Sequence, residues 1–204
     1  MRRGALAILA TLMLAGCATP PRSPDPAERP DPQALAYWNA SGRLALSAGG
    51  EGGSGAFVWE QREQTSQLDL RGPFGAGALR VVATPDSLSV ADGAGRSMDA
   101  GAAQAELQAR LGAELPWVSL RYWMLGVPAP DEPAEVTDAA AAPWRVIEQA
   151  GWRIGYDAFT TATGLSLPQR FTATRGDVRV RVIVDAWSVP PGPSRAAPRP
   201  DPEP

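Results

Sequence analysis

The chain contains no histidine, and this absence removes several classes of active site. Histidine is the commonest general acid–base and metal ligand near neutral pH. Serine–histidine–aspartate and cysteine–histidine nucleophile systems are therefore excluded, as is any zinc site with a histidine ligand. Paired carboxylates stay possible, but these acidic residues fall in segments predicted as turns or loops, where carboxylates are usually solvated: Asp86, Asp92, Asp99, Asp131 and Glu132. We expect no enzyme activity, no catalytic residue and no bound metal.

Lysine is also absent, so all 19 basic residues are arginine, and the formal net charge is -3. Without a basic surplus, nucleic acid is not an expected partner. Cysteine occurs once, at Cys17, which excludes an internal disulfide. The same cysteine becomes informative when its position is considered.

The N-terminus has the layout of a lipoprotein signal peptide. Arg2 and Arg3 precede a small and apolar stretch, residues 4–14, that is too short to span a bilayer, which needs about 20 residues. The tetrapeptide that ends at Cys17, LAGC, looks like a lipobox. In such sequences the cysteine becomes the first mature residue and carries a diacylglycerol and an N-acyl chain. Ala18, rather than aspartate, follows Cys17 and favours the outer membrane over retention at the inner one. An ordinary secretory signal with a stray cysteine is the alternative.

Composition divides the chain into four parts. Residues 1–16 form the predicted signal peptide, and the proline-rich residues 17–32 form a lipidated, disordered tether. A single domain of ordinary size occupies residues 33–188. The proline-rich residues 189–204 are predicted to be a disordered tail, to which we assign no role.

Alternating polar and apolar residues dominate the domain and predict β-strands. Two helices interrupt them, one after Asp99 that ends at Gly112 and one that begins at residues 115–116 and ends near Gly126. The second helix carries an apolar stripe of Trp117, Leu120, Trp123 and Met124. Residues 129–143 are predicted to be a loop. The predicted strands are 42–46, 55–61, 67–71, 78–82, 87–90, 95–98, 144–149, 152–156, 169–174 and 178–185. This order predicts a mainly β fold with a few helices, an incomplete antiparallel barrel whose mouth the helices cover.

One segment is specific enough to indicate a family. Residues 120–128, LRYWMLGVP, resemble the outer-membrane lipoprotein receptor LolB family. Further segments agree in order and spacing over about residues 37–187: 42–46, 57–61, 72–75, 151–156, 164–168 and the closing strand to Trp187.

The resemblance implies a half-open β-barrel with a helical lid. Its members accept a lipoprotein from the soluble periplasmic carrier LolA, shield the acyl chains in an apolar cavity, and release the cargo into outer-membrane phospholipid. A loop with one exposed apolar residue assists insertion, and it matches Pro73, Phe74 and Gly75, with phenylalanine where the family usually has leucine. We expect the protein to be a monomer without a cofactor beyond the lipid on Cys17. Without the resemblance, Phe74 would be expected to lie in the core.

The candidates for the acyl-chain cavity are apolar residues of the sheet and of the second helix. Each of them has a plain core position as its alternative, because alternation shows which residues share a face but not which face is inward. Two other functions stay open, a structural lipoprotein that binds another protein and a lipid-active enzyme. The candidates are Phe57, Trp59, Leu68, Leu70, Leu79, Val81, Trp117, Leu120, Trp123, Met124, Trp152, Ile154 and Tyr156.

Overall fold

The computed structural model describes residues 31, 35–72, 78–98, 101–102, 105, 108 and 116–190. Within them, eleven strands and the helix α1 (Trp117–Met124) are defined. The strands are β1 (Tyr37–Ala48), β2 (Glu51–Arg62), β3 (Thr65–Arg71), β4 (Leu79–Ala83), β5 (Leu88–Asp92), β6 (Ser97–Met98), β7 (Ala134–Asp138), β8 (Arg145–Gln149), β9 (Trp152–Ala162), β10 (Leu165–Arg175) and β11 (Val178–Ser188).

All eleven strands belong to one antiparallel sheet with the order β6-β5-β4-β3-β2-β1-β11-β10-β9-β8-β7. The first and last long strands, β1 and β11, pair in the middle of the sheet, so the two halves of the chain meet there. The edges β6 and β7 do not pair with each other, and the sheet is therefore open. The predicted incomplete antiparallel barrel is confirmed.

One face of this curved sheet is apolar because buried and exposed residues alternate along the strands. In β3, Ser66, Leu68 and Leu70 are buried, while Asp69 between them is less so. The same alternation in the neighbouring strands places their apolar residues on the concave side, and α1 packs against that side. The helical lid thus rests on a face that the sequence pattern itself defines.

The strand registers show that the connections between consecutive strands lie at two opposite ends of the sheet. The first end carries residues 49–50, 93–96, 150–151 and 176–177, together with the described residues Gly72 and Ala78. The second end carries residues 63–64, 84–87, 139–144 and 163–164. Tight turns with positive φ at both central residues make some of these reversals, as at Ala150–Gly151, where φ is 53° and 73°.

The structure differs from the sequence-based expectations in three places. The predicted loop 129–143 contains the edge strand β7, whose five residues are all exposed and therefore show no alternation. The predicted strand 55–61 starts earlier than expected, since β2 already begins at Glu51. The first predicted helix lies mostly outside the described residues, although residues 101, 102, 105 and 108 are helical. In the described part of the chain, no helix combines the length and apolar character that crossing a bilayer requires.

Candidate functional site: an apolar cavity beneath a helix

An apolar cavity of about 100 Å³ lies between α1 and the concave face of the sheet. Every side chain on its wall is aliphatic, aromatic or methionine. The wall consists of Leu44, Leu46, Phe57, Trp59, Leu68, Leu70, Trp117, Leu120, Trp123, Met124, Trp152, Phe171, Ala173, Val180 and Val182. Such a surface offers non-directional contact to hydrocarbon and has little to hold a charged or strongly polar ligand.

The cavity occupies the half of the concave face that is nearer the first end. Leu46 lies opposite Val180 across the β1–β11 pair, close to the turns at 49–50 and 176–177. Towards the second end, the same face is closed by packed aromatic rings. Trp38 lies between Trp59 and Trp187, with ring centroids 5.7 and 5.4 Å away. The concave face is therefore closely packed towards the second end, the packed half, and contains the cavity towards the first end, the hollow half.

A buried glutamine fastens the end of α1 to the sheet. The Oε1 atom of Gln149 accepts hydrogen bonds from the indole N–H of Trp123 and the backbone N–H of Ala129, both at 2.9 Å. Its Nε2 atom donates to the carbonyl oxygens of Ala129, at 2.8 Å, and Glu132, at 2.9 Å. Because all four contacts are polar and directional, they define one closed position of the helix.

Two further side chains hold the same helix end. The hydroxyl of Tyr156 donates to the carbonyl oxygen of Trp123 at 2.8 Å, and complete burial raises the pKa of Tyr156 far above its ordinary value, so the hydroxyl stays a neutral donor. Arg145 donates to the carbonyl oxygen of Gly126 at 3.1 Å and forms a salt bridge with Asp138 at 2.7 Å. The carboxyl-terminal end of α1 is therefore fixed to β8 and β9.

The beginning of α1 has no side-chain cap, and the remaining polar contact of the helix, that of Arg121 in its last turn, is exposed. Arg121 donates to the carbonyl oxygen of Glu63 at 2.9 Å, on the exposed surface, and its guanidinium lies 4.6 Å from the ring of Tyr122. Trp117 and Leu120, which face the cavity, are only half-buried. Since the beginning of the helix has no side-chain cap and its wall residues are half-buried, whereas its end is held by buried hydrogen bonds, we expect the lid to open from its beginning.

The structure brings nine of the thirteen predicted cavity residues onto the wall. They include all four residues of the predicted helical stripe, which confirms its inward orientation. The nine are Phe57, Trp59, Leu68, Leu70, Trp117, Leu120, Trp123, Met124 and Trp152.

The other four, Leu79, Val81, Ile154 and Tyr156, are buried in the core beside the cavity rather than on its wall. Alternation predicted which residues share a face, but position along and across the sheet decides whether a residue on the inward face meets the cavity or the packed core. Six wall residues were not predicted: Leu44, Leu46, Phe171, Ala173, Val180 and Val182. The strands that carry these six residues were predicted, but the sequence did not show that β1 pairs with β11.

Three predicted features lie outside the described residues. These are Cys17, the tether and the insertion loop Pro73, Phe74 and Gly75. The described residues that flank this loop, Gly72 and Ala78, lie at the first end, the end nearer the cavity. No cluster of three histidine, cysteine, aspartate or glutamate residues suited to a metal ion occurs among the residues that the structure describes.

Comparison with known proteins identifies the family. The family model for the outer membrane lipoprotein LolB matches residues 36–187. The chain belongs to the LolB family. The outer-membrane lipoprotein LolB of Halorhodospira halophila is 39% identical over 190 residues, which cover 89% of this chain and 92% of that protein. The LolB of Alkalilimnicola ehrlichii is 37% identical over 204 residues, which cover 94% of this chain and 100% of that protein.

A solved structure agrees with the fold. A DUF1329 family protein from Desulfovibrio piger superposes with a TM-score of 0.50 at 6% identity, covering 80% of this chain and 89% of that one. At this identity the likeness concerns the fold alone. The LolB membership places the chain among outer-membrane lipoproteins, lipid-anchored and facing the periplasm.

Proposed function

We propose that this protein accepts mature lipoproteins from the periplasmic carrier LolA and inserts them into the outer membrane. The observation that carries this proposal is the apolar cavity beneath α1, whose wall is matched to acyl chains. Carrying acyl chains through water exposes apolar surface at a cost of about 25 cal/mol per Å², so a carrier has to cover them. A structural lipoprotein that only binds another protein would have no use for such a hollow, since packed cores leave few voids larger than a water molecule.

The volume of the cavity requires the lid to move. At about 100 Å³ it is smaller than the roughly 300–1,000 Å³ of typical ligand pockets. The structure therefore corresponds to a closed form, and an entering acyl chain has to displace α1. The half-buried beginning of the helix, Trp117 and Leu120, is the part that moves first.

Transfer through this site runs downhill without nucleotide hydrolysis. The chain has no lysine and hence no phosphate-binding loop of the Walker type. Direction then comes from affinity, because each 1.4 kcal/mol of extra affinity over the donor shifts partition about tenfold. Release works in the same way, since membrane lipid accommodates acyl chains as well as the cavity does.

The anchor and the insertion loop orient the cavity towards the membrane. Acyl chains on Cys17 hold the protein at the surface, since one chain binds marginally at about 0.8 kcal/mol per methylene and two or three bind firmly. Exposed arginines surround the first end, where the segment 73–77 connects β3 to β4: Arg71, Arg175, Arg179 and Arg181. Their positive charge suits phospholipid phosphate groups.

A charge placed on the cavity wall tests the acyl-binding role. Leu44 is half-buried on the wall, and Ala45, the next residue, is exposed on the outer face of the same strand. Leu44→Glu is expected to lower uptake of a labelled lipoprotein from loaded LolA at least tenfold, because a buried carboxylate near acyl chains has no partner. Ala45→Glu adds the same charge outside and is expected to leave uptake unchanged. Equal uptake by both variants would contradict the proposed site.

The loop is tested separately from the cavity. Phe74→Glu is expected to leave uptake of the lipoprotein intact and to block its insertion into phospholipid vesicles, because a carboxylate does not enter the hydrocarbon region. Thr163→Glu, in a turn at the second end, serves as the control and should insert normally. Normal insertion by Phe74→Glu would show that this loop does not contact the membrane.

A further inference from the structure

One buried polar atom on the cavity side of the protein has no partner. Among the described residues, the indole Nε1 of Trp152 is the buried side-chain nitrogen or oxygen that forms no hydrogen bond. Trp152 is 2% exposed, so water does not satisfy this N–H from outside. A buried donor without an acceptor costs about 1–3 kcal/mol. Such an atom in a well-packed protein calls for an explanation.

Three other tryptophans, the buried Trp59 and Trp123 and the half-buried Trp187, have paired indole N–H groups. Trp59 donates to Gln61 at 3.2 Å, and Trp123 donates to Gln149 at 2.9 Å. Trp187 donates to the carbonyl oxygen of Pro168 at 2.8 Å. Each has a dedicated oxygen within the chain, and Trp152 is the exception to this pattern.

Trp152 also occupies a particular place. Its ring is part of the cavity wall and packs against Trp123 of α1, with ring centroids 6.2 Å apart and planes inclined by 53°. Displacement of α1 therefore removes a ring that covers Trp152. The wall residues Phe171 and Ala173 carry no polar side-chain atom, so among the described wall residues Trp152 is the one with a buried donor that lacks an acceptor.

We propose that the indole N–H of Trp152 donates a hydrogen bond to the carbonyl oxygen of an acyl linkage, an ester or amide, of the bound lipid. This inference rests on the proposed function and deepens it, because it makes the cavity selective for acyl chains that carry a carbonyl group rather than for hydrocarbon in general. The N–H of Trp152 is buried without an acceptor until cargo binds, and it gains an acceptor only then. Trp152 thereby places the polar linkage of the cargo at the β9 side of the cavity, next to the anchored end of the lid.

The experiment compares two probes that differ in one carbonyl group. A glycerol monoester of a twelve-carbon fatty acid has the acceptor, and the glycerol monoether with the same chain lacks it. Both are titrated into the mature chain with Cys17→Ala, so that its own acyl chains do not compete. The original protein is expected to bind the ester about three- to tenfold more tightly, the range of one net hydrogen bond.

Substitutions assign that preference to one atom. Trp152→Phe keeps an aromatic ring without the N–H and should bind the two probes equally. Trp59→Phe is the matched control: it removes another wall indole whose N–H is already bonded to Gln61, and it should keep the preference for the ester. A preference for the ester that survives in Trp152→Phe would overturn the inference.

A spectroscopic measurement decides the matter even if Trp152→Phe does not fold. In the original protein, the indole N–H proton resonance of Trp152 should move downfield with the ester and not with the ether, as expected for a new hydrogen bond. Equal binding of both probes, or no such shift, would overturn the inference and leave the cavity function standing. Binding of neither probe would overturn the proposed function together with the inference.

Discussion

Gly42 illustrates how one residue shapes the hollow barrel. It lies at the register shift between β1 and β11, where the two central strands approach closely. A methyl group built on Gly42 would lie 2.1 Å from the carbonyl oxygen of Ile183 and 3.0 Å from Cε1 of Phe57, a residue of the cavity wall. The strands β1 and β11 can therefore approach this closely only if position 42 has no side chain.

The effect of adding that methyl group is measurable. Gly42→Ala is expected to lower the free energy of unfolding in urea by about 1–3 kcal/mol, as overpacking typically does. Gly155→Ala is the control, because its added methyl group would meet Pro143 Cβ at 3.4 Å, an ordinary contact. An undiminished free energy of unfolding for Gly42→Ala would mean that β1 and β11 can separate without cost.

Residue identity alone predicted part of the site. The aromatic and leucine residues that alternate along β2 and β3 were expected to share a face, although not which face is inward, and the helical spacing of Trp117, Leu120 and Trp123 predicted one apolar stripe on the helix. Trp152 lies on the wall while Tyr156, four residues along the same strand, lies in the core, and alternation treats the two alike. The difference is a tertiary property, because Trp152 packs against the ring of Trp123 beside the cavity, whereas Tyr156 packs against Phe159 and Phe171.

At the scale of elements, α1 is held asymmetrically. Its end is fixed by Gln149 and Tyr156, whereas its beginning has no side-chain cap and carries the half-buried Trp117. A second buried glutamine, Gln61, plays a comparable part at the second end, where it accepts from Trp59 at 3.2 Å and from Ser66 at 2.7 Å. One glutamine thus serves the lid and the other serves the solid half of the barrel.

Replacing these two glutamines separates their roles. Gln149→Leu leaves the indole N–H of Trp123 and the backbone groups of Ala129 without partners, so amide hydrogen exchange over residues 123–129 is expected to accelerate at least tenfold. Gln61→Leu should reduce global stability without this selective increase. Uniform acceleration of exchange in both variants would contradict the view that Gln149 is the latch of the lid.

The element order also shows where sequence patterns fail. The strand β7 is exposed along its whole length and contains no buried residue, so no periodicity distinguishes it from a loop. It forms because β8 offers a free edge, with Val136 opposite Ile147. Pairing of this kind depends on the neighbouring strand and is absent from local sequence.

At the scale of the whole molecule, the barrel is divided into a packed half and a hollow half. Stacked tryptophans stabilise the second end, and the apolar hollow lies towards the first end, where the segment with Phe74 connects two strands. In this arrangement the packed half supports the cavity while α1 above it can move. The open sheet is compatible with a lid that moves, because no strand pair has to break when α1 is displaced.

The most direct test of the account is transfer of cargo. The mature chain with Cys17→Ala is mixed with LolA that carries a radiolabelled mature lipoprotein, and the two proteins are then separated and counted. We predict that most of the label moves onto this protein without nucleotide, since affinity alone drives the step. Label that stays on LolA, while circular dichroism shows this protein to be folded, would contradict the receptor function and make the apolar hollow a feature of the fold alone.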